Sequence, residues 1–330
     1  LPHAKLVLRE VVDFFRIVYA KLTHRPVAIC DVGDVDGVAS AAIFLRRSSN
    51  GMVILRAPAQ LQRGRWYRLF TWDFVADLPC PPGAKVRMRA DHHKTNPPCA
   101  EQECYDPSAP CAALLAAKLL GLEGDPIVQE LVQAAIETDT ANIVTDKVKL
   151  LDLAVRYSSY KTKLRIARKL AEKGIEAALQ DEKIRESIER GLEAEKIIDQ
   201  IAQEVVSRAR GSDIVTLYFT GRLPISFRQL NIKIQKSNFK FVNILVKLGF
   251  RTYRLYCGAD RDSKYDCTVI ARALGGGGHK FAAGAQFKAP LLKPREGLTK
   301  FVNVLKTYLG LDRISLFIVD RDLNIREKIV

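Results

Sequence analysis

The feature that most constrains this chain is an apolar strand that runs straight into acid. Pro26-Val-Ala-Ile29 leads into Cys30-Asp31-Val-Gly-Asp34-Val-Asp36-Gly37, and the small-residue helical pattern Val38-Ala-Ser-Ala-Ala-Ile-Phe-Leu45 follows. Three carboxylates within six residues at the edge of a buried strand repel one another, and desolvation raises the cost. A bound cation would compensate them; solvated aspartates that cap the next helix are the plainer alternative. Apolar runs at 27–31, 52–57, 67–73 and 84–91 read as strands, and 38–47, 112–120 and 126–137 as helices. Alternation of this kind specifies an α/β fold, a doubly wound parallel sheet with helices on both faces. Ligands bind such sheets outside the carboxyl ends of the strands. Asp34, Asp73 and Asp91 all fall at predicted strand ends.

At 330 residues the chain exceeds one ordinary core and suits about two domains. From 150 to 210 charges dominate and apolar residues recur at helical spacing, which predicts several helices ending in a long connector. A strand-rich pattern resumes at Ile214. The predicted organisation is an N-terminal domain over 1–150 that carries the acidic motifs, a helical connector over 151–211, and a smaller C-terminal α/β domain with a mixed sheet over 212–330. No run approaches the ~18 apolar residues of a membrane span. The first 25 residues read as a charged amphipathic helix without the shape of a signal peptide. Seven cysteines, an odd count with no CxxC, point away from a zinc site and a disulfide framework. A cytoplasmic enzyme with mostly reduced thiols is the simplest expectation. Cys99, Cys104 and Cys111 lie close enough in sequence for a local disulfide or metal.

Five short motifs carry the chemistry: Gly33-Asp-Val-Asp-Gly37, Trp72-Asp73-Phe74, Asp91-His92-His93, Glu137-Thr-Asp139-Thr140 and Gly275-Gly-Gly-Gly-His279 with Lys280-Phe-Ala-Ala-Gly284. Taken singly, an aspartate at a strand end is a cap, a histidine pair is surface, and a glycine run is a loop. Three of the five histidines fall in these stretches, which favours a common site. Carboxylates with imidazole suit Mn²⁺ or Mg²⁺ better than a thiolate-seeking metal. Four or five carboxylates in one pocket suggest two ions roughly 3.5–4 Å apart. The net charge of +15 points to an anionic partner, nucleic acid first. From 214 to 259 there are eight basic residues and no acid, interleaved with Phe227, Phe239, Tyr253 and Tyr256 as candidate stacking surfaces. Phe241 and Phe250 are assigned to the core. Arg63, Arg65, Trp66, Tyr67 and Arg68 form a second basic-aromatic stretch.

With these motifs in this order, the chain resembles the DHH phosphoesterase superfamily, named for the motif present here as Asp91-His92-His93. The glycine-rich motif resembles that of the RecJ-like and nanoRNase branch, and the GDVDGVAS form resembles short archaeal RecJ-like exonucleases. The resemblance covers about 27–287. It implies that Asp34 and Asp36 bind one ion each, that Asp73 bridges them, and that His92 and Asp139 complete the ligand set. Asp91 would orient His92, and His93 would contact the scissile phosphate. His279 and the amides of Gly276, Gly277 and Gly278 would hold a substrate phosphate, with Arg261 assisting. One departure stands out: the ligand that the family usually carries two or four residues before Asp34 is replaced here by Val32 and Cys30, with Asp31 beside them.

The implied function is a metal-dependent, single-strand-specific exonuclease on DNA or RNA, 3′→5′, yielding mononucleotides in repair, replication or RNA turnover. A repair helicase or replisome protein would be its partner. An oligonucleotide or cyclic-dinucleotide phosphodiesterase and a catalytically degenerate scaffold are the alternatives.

Overall fold

The computed structural model describes residues 2–209 and 211–330, with side chains from Leu8 onward. The chain divides into two compact units, Leu1–Gly191 and Leu192–Val330.

The first unit opens with α1 (Pro2–Leu22), β1 (Val27–Asp31), α2 (Val35–Arg47), β2 (Met52–Arg56) and α3 (Pro58–Arg63). A 3-10 turn (Arg65–Leu69) precedes β3 (Thr71–Ala76), β4 (Lys85–Asp91) and β5 (Gln102–Tyr105). Then come α4 (Ala112–Leu119), α5 (Pro126–Asp139), α6 (Asp146–Tyr157), α7 (Tyr160–Leu179) and α8 (Glu182–Arg208), inside which the division falls. The five strands are all parallel, in the order β2-β1-β3-β4-β5, as the alternating pattern requires.

β1 is buried along its whole length, as a strand covered on both faces must be. α2 starts where Asp34 accepts the Gly37 N–H, a helix cap, and it is buried from Val35 to Leu45. Its alanines let it lie close to the sheet beneath α4, α5 and α7. Phe44 of α2 stacks on Phe74 of β3 at 5.6 Å, and burying such a ring contributes about 2–3 kcal/mol. Only glycine fits at position 37, because a Cβ would sit 2.4 Å from the Asp31 carbonyl oxygen. A second cluster, with Ile17, Tyr67 and Trp72, fills the opposite face.

Three expectations are corrected here. The run 67–73 is not one strand: its first half is the 3-10 turn, and β3 reaches on to Ala76. β5 was not anticipated. Cys80 and Cys99 form a disulfide, so Cys99 pairs outside the Cys99, Cys104 and Cys111 group, and the other five cysteines are free.

The second unit contains β6 (Ile214–Phe219), α9 (Phe227–Gln235), β7 (Phe241–Lys247), β8 (Thr252–Ala259) and α10 (Cys267–Ala273). It continues with β9 (Gly277–His279), β10 (Ala282–Lys288), α11 (Glu296–Leu309), β11 (Ser315–Val319) and β12 (Ile325–Ile329). Its seven-stranded sheet is mixed, in the order β12-β11-β6-β7-β8-β10-β9. β11, β6 and β7 are parallel and the other pairings antiparallel. Phe227, Phe239, Phe241 and Tyr253 are buried, so the interleaved aromatics are core rather than stacking surfaces, Tyr256 being half-buried. Phe250 reverses its assignment: it is 67% exposed, in the turn between β7 and β8.

Candidate metal centre

The carboxyl ends of the first unit's strands bring the acids together. Asp31 ends β1, Asp34 caps α2, Asp36 lies in the first turn of α2, Asp91 ends β4, and Asp139 ends α5. Asp77 follows β3 directly in a left-handed conformation, φ 58°, which aspartate tolerates better than most residues. Ligand atoms of Asp31, Asp34 and Asp77 lie within 4.8 Å of one another, as do those of Asp36, His92 and Asp139, and of Asp77, His92 and His93. Asp77 and His92 each belong to two of these groups, so the three merge into a single seven-residue cluster. His92 Nε2 stands 3.4 Å from Asp139, 3.7 Å from Asp77 and 3.8 Å from Asp36.

The imidazoles are held by what surrounds them. His92 Nδ1 lies 3.1 Å from the Ala109 carbonyl oxygen; donating there leaves Nε2 bare toward the carboxylates. Asp91, fully buried, accepts the His93 N–H and faces His93 Nδ1 at 3.0 Å. Its other oxygen takes Arg89 at 3.0 Å and Asn96 at 2.6 Å. Asp91 therefore orients His93, whereas the resemblance implied His92. Burial raises the Asp91 carboxyl, but the bonds from His93 and Asn96 prevail and hold it below its usual range. The bond to Asp91 raises His93.

The cluster is short of positive charge. Burial, against amide bonds from Ala112 and Ala113, pushes the Asp36 carboxyl up to about 8. Burial and the charges of Asp36, Asp34 and Asp31 drive Asp77 well above the carboxylate range. Burial and Asp34 raise Asp31 to about 6, and its Oδ1 is buried with no hydrogen-bond partner. Lys163 of α7 faces Asp31 and Asp34 and donates to the Val32 carbonyl oxygen. Burial lowers its pKa despite both acids. Five carboxylates, two imidazoles and an orphaned buried oxygen fit hard divalent cations such as Mn²⁺ or Mg²⁺.

Asp73 is corrected. It sits near the start of β3, where Lys21 and Arg87 neutralise it at 3.0 and 2.9 Å and it accepts the Val27 N–H. Four residues of strand, about 13 Å, separate it from Asp77. The sequence held the signal: apolar residues continue past Asp73 to Leu78, and the punctuation Pro79-Cys-Pro-Pro-Gly83 marks where the strand stops. Asp77 and Lys163 are the members that sequence reasoning missed. Trp66 and Tyr67 pack against Phe14, Phe70 and Trp72 and offer no open stacking face.

In the second unit, Gly276, Gly277, Gly278 and His279 form the exposed edge hairpin of β9 against β10. At 276 a Cβ would meet the Gly284 carbonyl oxygen at 2.1 Å, so the strand pairing itself requires glycine there. Arg261 lies in the turn after β8, at the same end of the sheet.

No protein-family model matches the sequence, and no curated protein matches it. Solved structures do. A pGpG-specific phosphodiesterase, PggH from Vibrio cholerae, superposes with a TM-score of 0.62 at 18% identity, over 85% of this chain and 99% of that one. RecJ from Thermus thermophilus in complex with Mn²⁺ gives 0.55 at 15% identity over 86% of this chain, which spans 52% of that protein. An exonuclease RecJ bound to manganese gives 0.50 at 16% identity, over 86% and 90% of the two chains. At these identities the likeness is one of fold. Among the described residues no helix is long and apolar enough to cross a membrane.

Proposed function

We propose that this chain, which has the fold of the DHH phosphoesterases, is a metal-dependent phosphodiesterase that trims single-stranded DNA or RNA from one end. The seven-residue cluster of carboxylates and imidazoles carries the proposal. Asp31, Asp34, Asp36, Asp77, His92 and Asp139 would hold Mn²⁺ or Mg²⁺; Asp77, with two carboxylate oxygens, would serve both halves of the site, and His92 would offer its one free nitrogen, Nε2, to one of them. Asp31 supplies an oxygen where the family's usual ligand is replaced by Val32 and Cys30. The bound ions would lower the pKa of a water and draw charge from the phosphate. His93, half exposed and favoured in its protonated form by Asp91, is placed to donate to a phosphate oxygen. His279 and the β9 amides would hold a second phosphate. The +15 charge favours a polymeric substrate, and 3′→5′ trimming is the direction that the family resemblance suggests.

A second reading is cleavage of short oligonucleotides, in favour of which stands the 99% coverage of a pGpG phosphodiesterase. One experiment separates them. A 20-mer labelled at either end and a dinucleotide are incubated with Mn²⁺ and wild type or Asp77→Asn. Progressive shortening by wild type alone supports the exonuclease, and the labels give its direction. Cleavage of the dinucleotide alone supports the second reading. No cleavage of either would leave a non-catalytic scaffold.

A further inference from the structure

The second unit has another site-like region, at the end of the sheet away from the glycine-rich hairpin. Ala282 beside that hairpin pairs with Gly258, which pairs with Val242 near the start of β7. At the opposite end, β6, β7 and β11 finish side by side as three parallel strands, the place where open α/β sheets bind ligands. A cleft of about 350 Å³ opens there, lined by Thr220 and Arg222 after β6, Lys247 ending β7, Gly249 and Phe250 in the following turn, and Arg321 after β11.

Three cations from three separate segments thus converge. Among the described residues none of Arg222, Lys247 and Arg321 has an ion-pair or side-chain hydrogen-bond partner. Three lysines elsewhere in this unit are neutralised, Lys233 by Asp199, Lys240 by Asp213 and Lys293 by Glu296; what sets the cleft apart is that three unpaired cations share one concavity. Asp320, next to Arg321, spends its carboxylate on the Asp322 and Asn324 amides and the Asn324 side chain. Like charges gather without compensation where an anion is the missing partner, and arginine forks match phosphate oxygens in pairs. Phe250 stands at the rim, 67% exposed, a face on which a base can stack. The cleft lies within the size range of small-molecule sites, about 300–1,000 Å³.

We propose that this cleft binds a nucleotide, its phosphate on Arg222, Lys247 and Arg321 and its base on Phe250. The chemistry is the same for a free nucleotide and for one within a single strand. The assignment does not rest on the metal centre.

The test uses the full chain in EDTA at low salt, photolabelled with 8-azido-AMP and mapped by mass spectrometry. Label is expected on the β7–β8 turn. Arg222→Ala/Arg321→Ala should reduce it more than tenfold, and Phe250→Ala about tenfold, with Phe250→Trp restoring it. All three positions border solvent, and circular dichroism checks the fold. Competition by AMP but not by a 20-mer assigns a free nucleotide; competition by both assigns a strand. Label confined to other segments of wild type overturns the proposal without recourse to any variant. So does label that the variants leave unchanged. Displacement by inorganic phosphate as readily as by AMP, with Phe250→Ala silent, overturns it too and leaves a bare anion patch.

Discussion

The two ends of the parallel sheet in the first unit treat the same residue in opposite ways. At the amino end, Asp73 is buried between Lys21 and Arg87 and takes the Val27 amide as well. At the carboxyl end, Asp77, four residues along the chain, is buried among Asp31, Asp34 and Asp36. A buried acid surrounded by cations is already satisfied; a buried acid surrounded by acids must take up a proton or a cation. Burial alone therefore does not separate structural from functional aspartates. The charges that the fold brings to each end do.

The comparison breaks most visibly in catalysis. Asp77→Asn should lower the rate of strand cleavage by about a thousandfold or more, since it removes the charge and one of the two oxygens that the proposed ions would share. Asparagine also tolerates the left-handed backbone. Asp73→Asn should stay within about threefold of wild type and instead cost about 1–3 kcal/mol of stability, Arg87 being mostly exposed. Rates measured side by side with thermal melts would overturn the contrast if the two effects were exchanged.

Next in size is the pH dependence of the metal-free protein. Asp31 and Asp36 have folded pKa values of about 6 and about 8, above the 3.8 of an exposed aspartate. The folded state then holds protons that the unfolded chain has released. The associated stability is full below about pH 4 and is lost as pH rises through 6 and then 8. For Asp31 alone the loss is on the order of 3 kcal/mol. Calorimetry should show the melting temperature falling from pH 5 to pH 8 without metal and recovering with Mn²⁺, more so at pH 8. A metal-free melting temperature that rises over this interval would contradict the charge distribution described.

Two smaller effects sharpen the comparison. Asp31→Asn should stabilise the metal-free protein at pH 8 while weakening Mn²⁺ binding about tenfold in titration calorimetry. Unchanged affinity would remove Asp31 from the ligand set. Lys163→Met withdraws the cation that competes with metal for Asp31 and Asp34. Mn²⁺ should then bind a few-fold more tightly to a less stable protein, an effect of about 1 kcal/mol by the strength of partly screened charge pairs. Weaker binding would instead assign Lys163 a supporting role in the ligand set.

Most of this architecture was legible because it is local. β1, α2 and β4 follow from apolar runs with acids at their ends, and Asp34, Asp36, His92 and Asp139, named from motifs that a few residues define, are brought into one cluster by the fold. What was missed depends on distance or register. Asp73 and Asp77 sit in one apolar stretch, and only the strand's frame tells which of them reaches the site. Lys163 arrives from a charged helix 131 residues beyond Val32, with nothing nearby to distinguish it from the other lysines of α7. The disulfide joins cysteines 19 residues apart, in the connections from β3 to β4 and from β4 to β5, which the pairing of these three strands brings together. Phe250 looked like core because it is aromatic in a strand-rich region; the turn at Leu248-Gly249 turns it outward.

That disulfide has a consequence for the unfolded chain. Cys80 comes three residues after Asp77 and Cys99 six after His93, so the bond ties together the two loops that carry a carboxylate and the imidazole pair. Closing a loop of this length removes about 3 kcal/mol of freedom from the denatured ensemble. The tether also keeps Asp77, His92 and His93 at a high effective concentration after the sheet has melted. Where the native cluster takes up an ion, the denatured protein would itself be a weak chelator, and any ion it kept would subtract from what the native site gains. Reduction would erase that grip, so the oxidised molecule would trade part of any metal-induced stabilisation for a head start in reassembling the cluster.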